Sequence, residues 1–144
     1  MPVVLVPLLI VLDQTLKLWA LEHLDAIPDP FLPGLYLTLV RNTGMAFGLL
    51  PGQAGVLAWV SLAVGGGLLV YLARARPGGL RETALSLLAA GALGNAIDRI
   101  GRGWVVDYLD IGPGLWPVFN LADVCVVLGV LLLLLPSRRR PRAF

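Results

Sequence analysis

Nine acidic residues occur in the sequence, and five of them lie within or directly beside long apolar runs: Asp13, Asp98, Asp107, Asp110 and Asp123. A carboxylate in an apolar membrane environment is costly, so such a residue indicates a functional site. Asp107 and Asp123 flank one short loop. Two carboxylates brought together can share a proton and activate water. The sequence therefore predicts carboxylate chemistry at the surface of a membrane.

Other catalytic side chains are scarce. The chain has one histidine, His23, and one cysteine, Cys125. Zinc catalysis usually requires three protein ligands, so we expect no metal site. A Ser-His-Asp triad would depend on His23, and none of the three serines lies in a G-x-S-x-G turn. Cys125 has apolar neighbours, which favours a small buried side chain over a nucleophile.

Two predicted helices carry grouped polar residues. Asn95, Asp98 and Arg99 are three or four residues apart and share a helix face. We expect Asp98 and Arg99 to form a structural clasp. Asp13 and Lys17 have the i,i+4 spacing of a helical ion pair. This pair either neutralises two buried charges, or Lys17 orients and charges the active site.

The remaining polar residues flank the loop between the last two predicted helices. Asn120 and Asp123 are three residues apart and share a face. The segment 100–117 is rich in glycine and proline and could fold Asp107 back over Asp123. We interpret Asp110 as a solvated loop residue.

The elements that position these residues are predicted to lie in a membrane. Hydrophobic residues make up 58% of the chain and charged residues only 14%, against about 25% in soluble domains. We expect an all-α membrane protein with four transmembrane helices in one domain, 1–144. A small extracytoplasmic β element is predicted at about 28–48, because residues 35–40 are rich in β-branched and aromatic side chains. The helices are predicted at about 3–23, 55–73, 83–100 and 116–135.

The arginines predict the orientation. Segment 74–81 carries three arginines and segment 138–142 carries four. Basic residues beside membrane helices favour the cytoplasmic side, so both termini are predicted to be cytoplasmic. The tail is interpreted as a membrane anchor rather than a nucleic-acid patch. Arg99 and Arg102 oppose this count, because they lie at the outer end of the third predicted helix. A basic residue on the outer side indicates that a partner residue holds it.

Five sequence blocks extend over most of the chain: Asp13-Gln14-x-x-Lys17, Asn42-x-Gly44-x-Ala46-Phe47, Gly94-Asn95-x-x-Asp98-Arg99, Val106-Asp107-Tyr108 and Phe119-Asn120-x-Ala122-Asp123. Their order resembles that of the bacterial lipoprotein signal peptidases, also called type II signal peptidases. Each block alone is a weak motif. Their common order on a chain of this length makes the resemblance specific.

The resemblance implies an aspartic endopeptidase of the bacterial inner membrane with its active site toward the outer face. It would cut the signal peptide from a diacylglyceryl-modified prolipoprotein, just before the lipidated cysteine. Asp107 and Asp123 would be catalytic. The implied partners are this substrate and membrane lipid, with no nucleic acid, no metal, no organic cofactor and a monomeric enzyme. The implied supporting residues are Asp13, Lys17, Asn42, Gly44, Asn95, Asp98, Arg99 and Asn120.

Two other classes of protein could use such residues. A small transporter or proton channel also carries acids in its membrane segments. The polar residues cluster toward one side, however, and the second helix offers no polar path. A structural or assembly protein with buried ion pairs is the other alternative, and it would tolerate Asp107→Asn.

Overall fold

The computed structural model describes residues 2–44, 52–112 and 114–135. Four α-helices carry most of this part of the chain: α1 (Pro2–His23), α2 (Ala54–Ala75), α3 (Gly79–Arg102) and α4 (Leu121–Leu134). The helix α3 packs against each of the other three. Val4–His23 and Ala54–Ala75 are long and apolar enough to span a membrane, and α4 is a shorter apolar helix.

Glycines allow α3 and α4 to approach closely. A Cβ atom on Gly91 would collide with the backbone oxygen of Ala122, and one on Gly129 would lie 2.8 Å from the backbone oxygen of Ala84. Gly94 is similarly restricted, since its Cβ atom would lie 2.7 Å from the Asp13 carboxylate. Small residues at helix interfaces permit this packing in membrane proteins.

A three-stranded antiparallel sheet is formed by the segments between α1 and α2 and between α3 and α4. Its strands are β1 (Asp29–Leu32), β2 (Leu35–Asn42) and β3 (Val105–Asp110), in the order β1-β2-β3. The first two strands lie within the predicted β element, of which residues 45–48 are outside the described residues. The strand β3 differs from the sequence-based expectation, since its glycine-flanked segment predicts a loop. It pairs with β2 and places Asp107 opposite Val40.

Two helix starts differ by four residues or more from the sequence-based expectation. The helix α4 begins at Leu121 rather than 116, because Phe119 forms two backbone hydrogen bonds with Leu109 and Asn120 caps the helix. The helix α3 begins at Gly79 rather than 83. Apolarity alone marked the predicted start, whereas the first turn of α3 is polar and largely exposed.

Asp110 is a further correction, since it is not a solvated loop residue. Its side chain is buried at the end of β3. The Asp110 Oδ1 atom accepts a hydrogen bond of 2.9 Å from the backbone N–H of Gly112. An aspartate that bonds to the backbone two residues later stabilises a turn. Asp110 therefore shapes the start of the loop that leads to α4.

Candidate active site

A buried ion cluster connects α1 and α3. The Lys17 Nζ atom lies 2.8 Å from Asp13 Oδ2 and 2.9 Å from Asp98 Oδ2. Asp13 and Lys17 thus form the pair that their spacing predicts. The expected Asp98–Arg99 clasp is wrong: Asp98 pairs with Lys17 and with Arg102, whose NH1 atom lies 2.5 Å from Asp98 Oδ1. Consecutive helical residues do not face each other, whereas residues four apart do.

The two carboxylates of this cluster also accept backbone hydrogen bonds. Asp13 Oδ1 accepts from the N–H of Ala122 at 2.9 Å, in the first turn of α4. Asp98 Oδ2 accepts from the N–H of Val106 at 3.1 Å, in β3. Hydrogen bonds to a charged acceptor are stronger than neutral ones. The ion cluster therefore sets the positions of α4 and β3 relative to α1 and α3.

Three asparagine amides hold two further aspartates, and Asn95 also accepts a hydrogen bond of 3.0 Å from Lys17 of the ion cluster. Asn95 Nδ2 donates to Asp123 Oδ1 at 2.8 Å. Asn120 Nδ2 donates to Asp107 Oδ1 at 2.7 Å, and Asn42 Nδ2 donates to Asp107 Oδ2 at 2.9 Å. Each aspartate thus receives at least one amide N–H, which fixes the direction of its carboxylate.

The start of α4 holds Asn120 and Asp123 together by a capping box. Asn120 is the N-cap residue, and its side chain accepts from the backbone N–H of Asp123 at 2.9 Å. In return, the backbone N–H of Asn120 donates to Asp123 Oδ2 at 3.3 Å. Both exchanges satisfy groups that a helix N-terminus leaves unpaired. The helix start therefore orients the side chain of Asp123.

Asp107 and Asp123 line the same cleft, which has a volume of about 450 Å³. Asn42, Asn95 and Arg99 supply its polar wall. Apolar residues supply the rest of the lining: Val105, Ile111, Trp116, Pro117, Val118, Phe119, Val124, Val126, Val127 and Leu128. A mostly apolar cleft with a few convergent polar groups is typical of a binding site for an apolar substrate.

Asp107 is the titratable group that this environment alters most clearly. The pKa of Asp107 is raised from 3.8 to about 7, chiefly by burial and in addition by the nearby charge of Asp123. Hydrogen bonds from Asn42 and Asn120 oppose the change by stabilising the ionised form. Asp107 therefore keeps its proton up to about neutral pH. One protonated and one ionised carboxyl can then coexist in the cleft.

All ten residues that the resemblance implied are brought into one hydrogen-bonded network. Arg99 and Gly44 complete it, because Arg99 NH2 donates to the Gly44 backbone oxygen at 3.2 Å and the Gly44 N–H donates to Asn42 Oδ1 at 3.0 Å. Arg102 is held by a partner, as its position against the charge count predicted, and that partner is Asp98 at the i,i+4 spacing. Gln14 belongs to the first sequence block but was not among the implied supporting residues. Gln14 Nε2 donates to the Gly94 backbone oxygen at 3.1 Å, a contact that spacing does not reveal.

Residues 2–44, 52–112 and 114–135 contain no group of three or more His, Cys, Asp or Glu side chains arranged to hold a metal ion. The carboxylates instead pair with Lys17, with Arg102 or with asparagine amides. The chemistry that these residues can perform is proton transfer to and from a group bound in the cleft.

A family model described as signal peptidase (SPase) II matches residues 5–138. The chain belongs to the signal peptidase II family. It is therefore an aspartic peptidase of the signal peptidase II type, as its five sequence blocks predicted. Within this family, a lipoprotein signal peptidase of Deinococcus radiodurans is 43% identical, over 99% of this chain and 83% of that protein. A lipoprotein signal peptidase of Halothermothrix orenii is 42% identical, over 92% of this chain and 91% of its own length.

Two solved structures, both described as bacterial membrane enzymes, share the fold of this signal peptidase II family member. One has a TM-score of 0.85 at 27% identity and covers 99% of this chain and 93% of its own. The other has a TM-score of 0.78 at 30% identity, over 92% and 88% of the two chains. The mostly helical fold with its small sheet is thus shared with membrane enzymes.

Proposed function

We propose that this signal peptidase II family member removes the signal peptide from diacylglyceryl-modified prolipoproteins, cutting just before the lipidated cysteine. The observation that carries the proposal is the cleft in which Asp107 and Asp123 are both held by asparagine amides. Its apolar walls suit a signal helix and a lipid group.

In the proposed mechanism, Asp123 is the ionised partner and Asp107 the protonated one. The water oxygen attacks the scissile carbonyl carbon while Asp123 takes a proton from that water. Asp107 donates its proton to the carbonyl oxygen, which forms a neutral tetrahedral intermediate. On collapse, the carbon–nitrogen bond breaks, Asp107 recovers its proton, and Asp123 passes its proton to the leaving amine of the cysteine. This division follows the shared-proton logic of paired carboxylates.

The supporting residues act on these two carboxyl groups or on the elements that carry them. Asn42 and Asn120 hold Asp107, and Asn95 holds Asp123. Arg99 connects α3 to Gly44 at the end of β2. We assign these contacts to keeping the reacting groups in a fixed geometry, because small displacements of catalytic groups are costly in rate.

We further propose that all four helices cross the inner membrane and that the cleft faces the outer leaflet. Residues 74–81 and the arginine-rich tail would then lie in the cytoplasm, and the β1–β2 turn outside. The tail itself lies outside the described residues.

A topology reporter tests this arrangement. A reporter that is active only in the periplasm should be silent when it is fused after Arg142, because both termini are expected in the cytoplasm. The same reporter inserted after Gly34, at the exposed turn between β1 and β2, should be active. Activity of the fusion after Arg142 would contradict the proposed orientation.

Cleavage should depend on the proton carried by Asp107. Because its pKa is raised to about 7, kcat/KM should fall as the pH rises through about 7 and the proton donor is lost. The measurement is a pH profile of prolipoprotein cleavage at fixed detergent concentration. A rate that increases steadily between pH 7 and pH 9 would contradict the assignment of Asp107 as the acid.

Thermal stability provides a control for the same group. The folded protein binds more protons at Asp107 than the unfolded chain between pH 3.8 and about 7. Stability contributed by this group is therefore lost as the pH rises through that range. Asp107→Asn should remove this part of the pH dependence of the melting temperature. If the melting temperature of Asp107→Asn keeps the same pH dependence as that of the wild type, the raised pKa belongs to another group.

A further inference from the structure

Lys17 lies outside the cleft and yet touches its hydrogen-bond network. The side chain is completely buried. Its Nζ atom has three acceptors within 3.0 Å: Asp13 Oδ2, Asp98 Oδ2 and Asn95 Oδ1. An ammonium group has three donors, so all are used. Lys17 is absent from the residues that line the cleft. Its direct contacts with the site therefore run through these three partners, while its charge also acts on Asp107 from a distance.

The contact between Lys17 and Asn95 determines which atom of the Asn95 amide faces Asp123. An ammonium group can donate but cannot accept, so the amide atom that faces Lys17 must be the oxygen. The amide nitrogen of Asn95 then faces Asp123 and donates at 2.8 Å. Asn120 Nδ2 donates to the same Asn95 oxygen at 3.1 Å. A half-turn rotation of the Asn95 amide would place its N–H groups against the two donors, Lys17 Nζ and Asn120 Nδ2. The same rotation would place its oxygen against the Asp123 carboxylate.

We propose that Lys17 is a positioning residue, whose ammonium group fixes the amide of Asn95 so that its nitrogen donates to the Asp123 carboxylate. This inference rests on the proposed function of Asp123 as the base. Beyond that function, the buried Lys17 sets the direction of the hydrogen bond that Asn95 donates to Asp123. Because Lys17 is fully buried and outside the cleft lining, we expect it not to contact the substrate, so its loss should lower kcat and leave KM nearly unchanged.

Arg102 offers a matched control. Like Lys17, it forms an ion pair with Asp98, and it does so through the i,i+4 spacing. Its described polar contacts do not include Asn95. Arg102→Gln therefore removes a cation from the same cluster without releasing the Asn95 amide. We expect a lower melting temperature for this variant and a kcat within about threefold of the wild type.

The principal test replaces Lys17 and Asp13, two ion-paired residues of opposite charge, at the same time. Lys17→Met together with Asp13→Asn leaves the cluster without net charge, because Asp98 keeps Arg102. The asparagine oxygen can still accept from the N–H of Ala122. Since a hydrogen bond to a charged group contributes strongly, kcat should fall by about 10- to 100-fold, with KM within about twofold. A kcat equal to that of the wild type would overturn the proposal. If the protein does not fold, Lys17→Met with Asp98→Asn is also neutral and carries the same expectation.

A double-mutant cycle separates positioning from general stabilisation. Asn95→Leu alone should lower kcat to a similar extent, and its combination with the Lys17 and Asp13 changes should lower kcat little further. Multiplicative losses would overturn the proposal, because Lys17 would then act by another route. Absence of cleavage by the wild type would contradict the proposed function and this role with it. If the wild type cleaves the precursor and the variant with Lys17→Met and Asp13→Asn is equally active, only the role of Lys17 is contradicted.

Discussion

Asp107→Asn and Asp123→Asn should each reduce prolipoprotein cleavage by at least about 10³-fold while the protein remains folded. An amide in place of Asp123 cannot take a proton from water. An amide in place of Asp107 leaves the carbonyl oxygen with a much weaker proton donor. Both changes preserve side-chain volume, and an asparagine oxygen can still accept one hydrogen bond from its neighbours. The loss should therefore appear in kcat, with the melting temperature little affected at neutral pH.

Asp110→Asn is the matched control for these variants. Asp110 lies on the same strand as Asp107 and is also buried, but it is absent from the lining of the cleft. Its contact with the N–H of Gly112 needs only one acceptor oxygen. We expect activity within about threefold of the wild type. Substantial activity of either Asp107→Asn or Asp123→Asn, measured beside this control, would contradict the proposed pair of catalytic aspartates.

A precursor without the diacylglyceryl group should be cleaved at least about 100-fold more slowly than the lipidated precursor. Apolar side chains of α4 line the cleft beside Asp123, among them Val124, Val127 and Leu128. Each methylene group removed from water contributes about 0.8 kcal/mol. Two acyl chains anchored beside the scissile bond would therefore hold it at the depth of the carboxylates. Part of that binding energy serves to position the reacting bond.

Side-by-side cleavage of both precursors at equal detergent concentration measures this effect. The precursors should share one peptide sequence, so that only the lipid on the cysteine differs. Asp110→Asn, assayed with both precursors, should show the same ratio as the wild type. Equal rates for the two precursors would indicate that the lipid is not recognised. The chain would then act as a general intramembrane aspartic peptidase.

Local spacing predicted the contacts that lie within one helix. The pairing of Asp13 with Lys17 and the shared face of Asn120 and Asp123 follow from residues three or four apart. The family resemblance, carried by blocks in register, is confirmed by the match of the signal peptidase II model over residues 5–138. The same blocks contain the ten implied site residues, although they did not reveal how these residues contact one another.

Contacts between distant elements were not predictable from the sequence. The strand β3 is recognisable only through its pairing with β2, because six residues between glycine-rich segments also fit a loop. The burial of Asp110 follows from that strand. Asp98 was assigned to Arg99 because the two are adjacent, whereas its partner Lys17 lies on another helix. Lys17 and Asn95 are 78 residues apart, so no spacing rule relates them.

We propose that Asp107 and Asp123 activate water to cut a prolipoprotein before its lipidated cysteine. The most direct measurement incubates the purified protein with a diacylglyceryl-modified prolipoprotein in ¹⁸O-labelled water and determines the masses of both products. The expected products are a lipoprotein that begins at the lipidated cysteine, and a signal peptide with one ¹⁸O atom in its new carboxyl group. Asp107→Asn should leave the precursor intact. An uncut precursor with the wild type, cleavage at another bond, or equal cleavage by Asp107→Asn would contradict these roles of the two aspartates.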